Sequence, residues 1–94
     1  MGLLSQAEID QRLDDVPEWR AGPDRTIVCE RAFPDFASAI AFVNRVAELA
    51  EAANHHPDIL VHGWNHVRLT LSTHSAGGLT DADFELASRI DRVA

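Results

Sequence analysis

The sequence predicts an α+β fold, with a four-stranded antiparallel sheet and three helices packed on one of its faces. Three observations carry the prediction. Asn65 to Thr73 alternate, with Val67, Leu69 and Leu71 on one side and His66, Arg68, Thr70 and Ser72 on the other, the pattern of a strand buried on one face only. Residues 35–53 instead repeat apolar positions at helical spacing. The segments run helix, two strands, long helix, two strands, helix, with no linker, repeat or low-complexity stretch, so one domain over residues 1–94 is expected.

Ser5-Gln6-Ala7-Glu8 opens the first helix as a capping box, the Ser5 hydroxyl accepting from the Glu8 amide while Glu8 reaches back. Leu4 and Ile9 fit the accompanying hydrophobic staple. Ile9, Leu13 and Val16 form one apolar stripe, and Pro17 stops it. Trp19-Arg20-Ala21 is expected to pair as a hairpin with Thr26 to Phe33, a segment β-rich at Thr26, Ile27 and Val28, across a turn at Gly22-Pro23-Asp24. Asp35 is the expected N-cap of the long helix, and Asn54 before Pro57 its stop. Phe36, Ile40, Val43, Ala47 and Ala50 make one row; Ala39, Phe42, Val46, Leu49 and Ala53 make a second beside it. Such an arc is wider than one sheet contact needs, so the helix is either sunk among other elements or turned in part to another subunit. Asp58 to Val61 reads as a short strand, His62-Gly63 as the turn or bulge after it, and Gly77-Gly78 as the next turn. Thr80-Asp81-Ala82-Asp83 caps a last helix with Phe84, Ala87 and Ile90 inward.

Composition excludes several function classes. Lys plus Arg is 8 against 15 for Asp plus Glu, a net charge of −7 with His neutral, which disfavours nucleic acid and anionic membrane as partners. The longest apolar run, Ala39 to Val43, is far short of a membrane span. Met1 to Asp10 has neither a basic nor an apolar leader region, and Cys29 stands alone, so a reduced, cytoplasmic protein without disulfides or a cysteine-based metal knuckle is expected.

The chemistry is expected among the 5 histidines, all between positions 55 and 74. His55 and His56 leave the long helix together, and His74 ends the best strand, both places where small domains build pockets. Glu51, four residues before His55, shares its helix face and can orient its ring if the helix extends that far. Trp64 and Trp19 can supply a flat apolar wall. Imidazoles converging without cysteine suit proton transfer. The same cluster admits zinc or another borderline metal, but adjacent helical positions point roughly 100° apart, which weakens that reading. His62 and His66 read as ordinary exposed residues. Asp83 is most simply a first-turn residue favoured by the helix dipole, and Gly77-Gly78 a turn rather than a phosphate cradle.

Glu51-x-x-x-His55-His56-Pro57, followed by Trp64, His74 and Asp83, resembles the pterin-4a-carbinolamine dehydratase family. Asn54-His55-His56-Pro57-Asp58-Ile59 and Ser72-Thr73-His74-Ser75-Ala76-Gly77-Gly78-Leu79-Thr80-x-x-Asp83 are both similar to its signature, as is Phe33-Pro34-Asp35-Phe36 entering an Ala-rich helix. The resemblance runs from Trp19 to the end. Pro57 to Trp64 is one residue longer than in animal members, around Val61-His62-Gly63, a loop variation; Trp64 stands where Tyr is common. The resemblance implies dehydration of 4a-hydroxytetrahydropterin to quinonoid dihydropterin in tetrahydropterin recycling, without metal or organic cofactor. It implies a homodimer or homotetramer acting on a small-molecule pterin. It implies His55, His56 and His74 as the catalytic set, with His55 and His74 as acid and base and His56 orienting substrate. Glu51, Pro57, Asp58, Trp64, Thr73 and Asp83 are implied as the substrate-binding shell. Animal members also partner a transcription factor, so a pterin-binding or protein-interaction module without turnover is the alternative, and a metal site at His55, His56 and His74 a third reading.

Overall fold

A computed structural model describes residues 2–93. Helix α1 (Gln6–Leu13) starts at the expected capping box: Glu8 N–H donates to Ser5 Oγ at 3.2 Å and Ser5 N–H to Glu8 Oε1 at 2.9 Å. It ends sooner than its apolar stripe. Val16 is buried through the tight turn that follows, where its N–H donates to the Leu13 carbonyl at 3.1 Å.

Strands β1 (Trp19–Gly22) and β2 (Thr26–Ala32) form the first hairpin. Strands β3 (Asp58–His62) and β4 (His66–Leu71) form the second, so His62 is the last strand residue rather than the turn. The sheet order is β1-β2-β4-β3, antiparallel throughout. Side chains alternate across a strand, so the register sorts the sheet into two faces. Ile27, Cys29, Val67, Leu69 and Leu71 point to the covered face and are fully buried. Val28, Glu30, Arg68, Thr70, Asp58 and Leu60 share the open face, where Glu30 and Arg68, direct partners in register, form an ion pair at 2.6 Å.

Helix α2 (Phe36–Ala53) lies on the covered face. Asp35 caps it, accepting from Ser38 N–H at 2.7 Å. Of the two apolar rows only Ala39, Phe42, Val46 and Ala50 are buried; Phe36 remains 55% exposed and Ala47 exposed. The helix is therefore not sunk among its neighbours, because the sheet covers one side of it only. Helix α3 (Asp81–Val93) buries Phe84, Leu86, Ala87 and Ile90 against α2 and the sheet. Near its end Asp91 Oδ1 accepts from Trp19 Nε1 at 2.9 Å and from Arg31 Nη2 at 2.6 Å, fastening it to β1 and β2. No described helix is long and apolar enough to cross a membrane.

Candidate active site

The site begins where α2 stops. Asn54 closes the helix in the left-handed region, at φ 49° and ψ 44°, a conformation asparagine tolerates better than most residues. That cap takes His55 off the helical path and turns it toward α3. His55 Nε2 lies 2.6 Å from Asp83 Oδ1, not beside Glu51. Glu51 Oε2 instead receives His56 Nε2 at 2.8 Å, in an exposed pair. The expected helix-face pairing of Glu51 with His55 is thus corrected: spacing of four residues holds only inside a helix, and residue 55 is outside it.

Asp83 is 0% exposed. Its Oδ2 accepts from Thr73 Oγ1 at 2.8 Å and from the Thr80 N–H at 3.0 Å. Thr73 has a single hydroxyl hydrogen and gives it to Asp83, so the Thr80 hydroxyl is the donor in the 2.8 Å contact between the two threonines. A carboxylate oxygen accepts, so the tautomer of His55 that suits this contact carries its hydrogen on Nε2. Nδ1 is then the ring atom left to other partners. Asp83, which the resemblance places in the substrate-binding shell, has no surface to offer a ligand, because all of its polar contacts are internal, to His55, Thr73 and Thr80.

Thr73 also holds its neighbour. Its N–H donates to the Gly78 carbonyl at 2.8 Å, and the intervening residues form a single 3₁₀ turn, His74–Ala76. Gly77 closes that turn at φ 77°, which a side chain would strain. Thr73 faces the interior and His74 is exposed beside it. One buried carboxylate therefore ties the segment carrying His74 to the ring of His55.

His74 and Asp58 line a groove of about 690 Å³ over the open sheet face, with Arg20, Thr26, Val28, Arg68, Thr70 and Ser72 as its floor and rim. No local motif marks Arg20, Arg68 or Thr70 as groove residues, although the alternation of β4 places the last two on the solvent side. Thr80, expected as a cap, also meets Thr73 through its hydroxyl. Pro57 is half-buried between His56 and β3. Trp64 is not brought to this groove within one chain. It sits at the tip of the β3–β4 turn, 61% exposed, at the end of the hairpin opposite the Asp58–Thr70 pair. Trp19 is likewise no wall of the groove, being buried with its indole N–H on Asp91. His62 and His66 stack at 5.3 Å between ring centroids, two strand residues facing each other near that same far end. Among the described residues no group of three or more His, Cys, Asp or Glu is placed to hold a metal ion.

Comparison with known proteins matches the chain to one family. Residues 2–93 fit the family model described as pterin 4 alpha carbinolamine dehydratase. Relatives that carry the provisional name pterin-4-alpha-carbinolamine dehydratase include one from Chloroflexus aggregans, 50% identical over 93 residues, covering 99% of this chain and 98% of that one. Another, from Roseiflexus castenholzii, is 53% identical over 92 residues, covering 97% and 96%. Among solved structures, a transcriptional coactivator/pterin dehydratase from Brucella melitensis superposes with a TM-score of 0.93 at 30% identity, over 99% of both chains. A pterin dehydratase-like protein identified as a RuBisCO assembly factor in the alpha-carboxysome superposes with a TM-score of 0.69 at 30% identity, over 82% of this chain and 89% of that one. With every described residue matched and the same fold in a solved relative, the chain belongs to the pterin 4 alpha carbinolamine dehydratase family.

Proposed function

We propose that the protein dehydrates 4a-hydroxytetrahydropterin to quinonoid dihydropterin, recycling tetrahydropterin by histidine acid–base catalysis. The reaction breaks the C4a–oxygen bond. The departing hydroxyl needs a proton, and the proton on ring nitrogen N5 must leave as the C4a–N5 double bond forms. Two imidazoles facing one flat ring suit both transfers. The observation that carries the reading is Asp83, buried and bonded at once to His55 and Thr73. It fixes the tautomer of His55, so that Nδ1 is the atom that exchanges a proton with substrate, and it anchors the strand end from which His74 projects. His55 and His74 form the acid–base pair, and His56, paired with Glu51, orients the pterin. Pro57, Asp58 and Thr73 shape the site around them, and the 94 residues work as one cytoplasmic domain.

Supplying fresh 4a-carbinolamine and following the decay of its ultraviolet band tests the proposal. The expected result is decay well above the buffer rate, abolished in the His55→Ala, His74→Ala double variant and dependent on pH across the imidazole range. Decay no faster than buffer overturns it. The second reading, a binding module without turnover, is favoured by the relative identified as an assembly factor; a null assay together with retained pterin binding supports it.

A further inference from the structure

We infer that the pterin taken by this site carries a side chain ending in an anion, a phosphate or a carboxylate, and that Arg20 on the open sheet face receives that anion. The inference rests on the functional reading above for the ring and concerns what lies beyond the ring.

The groove that holds His74 is larger than a bicyclic ring needs. Its volume of about 690 Å³ is that of sites for larger ligands, and most of its lining belongs to the sheet rather than to the histidines. Register orders that lining. Arg20, Val28, Thr70 and Asp58 stand side by side in one row across β1, β2, β4 and β3, all on the open face. His74 follows Thr70 by four residues and His56 precedes Asp58 by two, and in antiparallel strands both directions lead to the same end of the sheet. A ring seated at the histidines therefore has its substituent free to run over Val28 and Thr70. From the level of His74 to that of Arg20 the sheet extends about 13 Å along the strands and about 10 Å across two strand spacings, a diagonal of about 16 Å. The stem of Arg20 closes part of that gap, and the rest suits a pterin ring with a short tail before the anion.

Charge then gives the tail its direction. Two acids border the groove, Asp24 in the β1–β2 turn and Asp58 on the β3 edge, and both repel an anion. Two guanidiniums attract it, Arg68 on β4 and Arg20 on β1. The 8 cationic side chains of the protein are all arginines. Arg12, Arg31 and Arg68 are ion-paired, and Arg25 and Arg45 donate to backbone carbonyls. Arg20 is exposed, lines the groove, and has no side-chain partner among the described residues. An uncommitted guanidinium offers a planar fork of donors that phosphate and carboxylate accept in pairs. A charge on an edge strand also discourages strand addition, but that role makes no distinction between ligands.

Calorimetric titration with stable dihydropterins tests the inference without turnover. 7,8-Dihydroneopterin, its monophosphate and dihydrofolate share the ring and differ in the tail, which is neutral, phosphorylated or carboxylated. At least one anionic ligand is expected to bind about ten-fold or more tighter than dihydroneopterin, as charge-assisted hydrogen bonds allow. Which of the two gains identifies the anion, and the gain is expected to shrink as salt is raised. Arg20→Ala is expected to remove the gain while leaving dihydroneopterin binding and the melting temperature as they were. Arg20→Lys is expected to keep part of the gain, and Arg20→Glu to make the anionic ligands the weaker ones. Arg45→Ala, which removes a cation from α2 on the other side of the sheet, is expected to leave the gain intact. Equal binding of all three ligands, or a gain that survives Arg20→Ala, overturns the inference and leaves the dehydratase reading standing. Binding of none of the three overturns the inference outright. A gain lost in Arg20→Ala, in a protein that does not speed carbinolamine decay, sustains the inference and refutes the dehydratase reading.

Discussion

His55 Nε2 and Asp83 Oδ1 meet at 2.6 Å although 28 residues separate them in the chain. In the proposed mechanism this contact makes Asp83, in the first turn of α3, the group that sets which nitrogen of His55 carries a hydrogen. Asp83→Asn tests that role. The amide oxygen can still accept from Thr73 and Thr80, but its NH₂ then faces Nε2 and forces the other tautomer. Activity is expected to fall roughly 10²- to 10⁴-fold, with the melting temperature little changed and the hydrogen shifted to Nδ1 in nitrogen NMR of His55. Asp83→Ala strands the buried donors and is expected to cost about 3–5 kcal/mol in denaturant titration.

The Glu51–His56 pair is exposed at both ends and predicts the opposite division. Glu51→Gln is expected to leave the melting temperature within about 2 °C of wild type, because solvated ion pairs contribute little. KM for the pterin is expected to rise a few-fold with kcat retained, which steady-state kinetics checks. A fall in kcat with unchanged KM would place Glu51 in the chemistry instead.

Burial pushes the Cys29 thiol up to about 11 from 9.0, with the nearby Arg31 opposing the shift. The thiol therefore stays protonated through neutral pH. A thiol-specific disulfide reagent is expected to leave the folded protein unmodified and to titrate one thiol after denaturation. The folded state holds this proton more tightly than the unfolded chain, so its contribution to stability is present below pH 9 and is lost as pH rises toward 11. Cys29→Ala is expected to remove that part of the alkaline limb.

The Asp35 carboxylate is held below the ordinary aspartate range by the Ser38 N–H that it accepts. A lowered carboxylate stabilises the fold above its unfolded value of 3.8, and the contribution disappears as pH falls through the lower folded value. Asp35→Ala is expected to lower the melting temperature at neutral pH by about 4–8 °C. Asp35→Asn is expected to keep most of the cap while flattening the acid limb, since its amide oxygen accepts without titrating.

Features decided within a few residues were legible in the sequence. Ser5 and Asp35 cap where their side chains reach the third amide onward, Asn54 stops α2, and the alternation of β4 assigns its faces correctly. What depended on a change of chain direction was not. Spacing favoured Glu51 with His55, yet one left-handed residue at 54 handed Glu51 to His56 and His55 to Asp83. His55 and His56 are not held a helical angle apart for the same cause, since both lie beyond the end of α2. Trp64 drew attention as a flat surface, but the length of β3 carries it away from the histidines that precede the strand. The hold of Asp91 on Trp19 and Arg31 spans 72 and 60 residues, and nothing in the local pattern announces it.

That last clasp bears on how the chain opens. Terminal helices commonly fray, exchanging their amide protons long before the centre of the fold does. Here a single carboxylate oxygen near the last described turn binds an indole on β1 and a guanidinium on β2. Loosening α3 means breaking both contacts and stripping Ile90 from the interior together. The helix that begins beneath His55 is consequently locked at its far end as well, and its solvent exchange should keep pace with the central strands rather than with a loose tail.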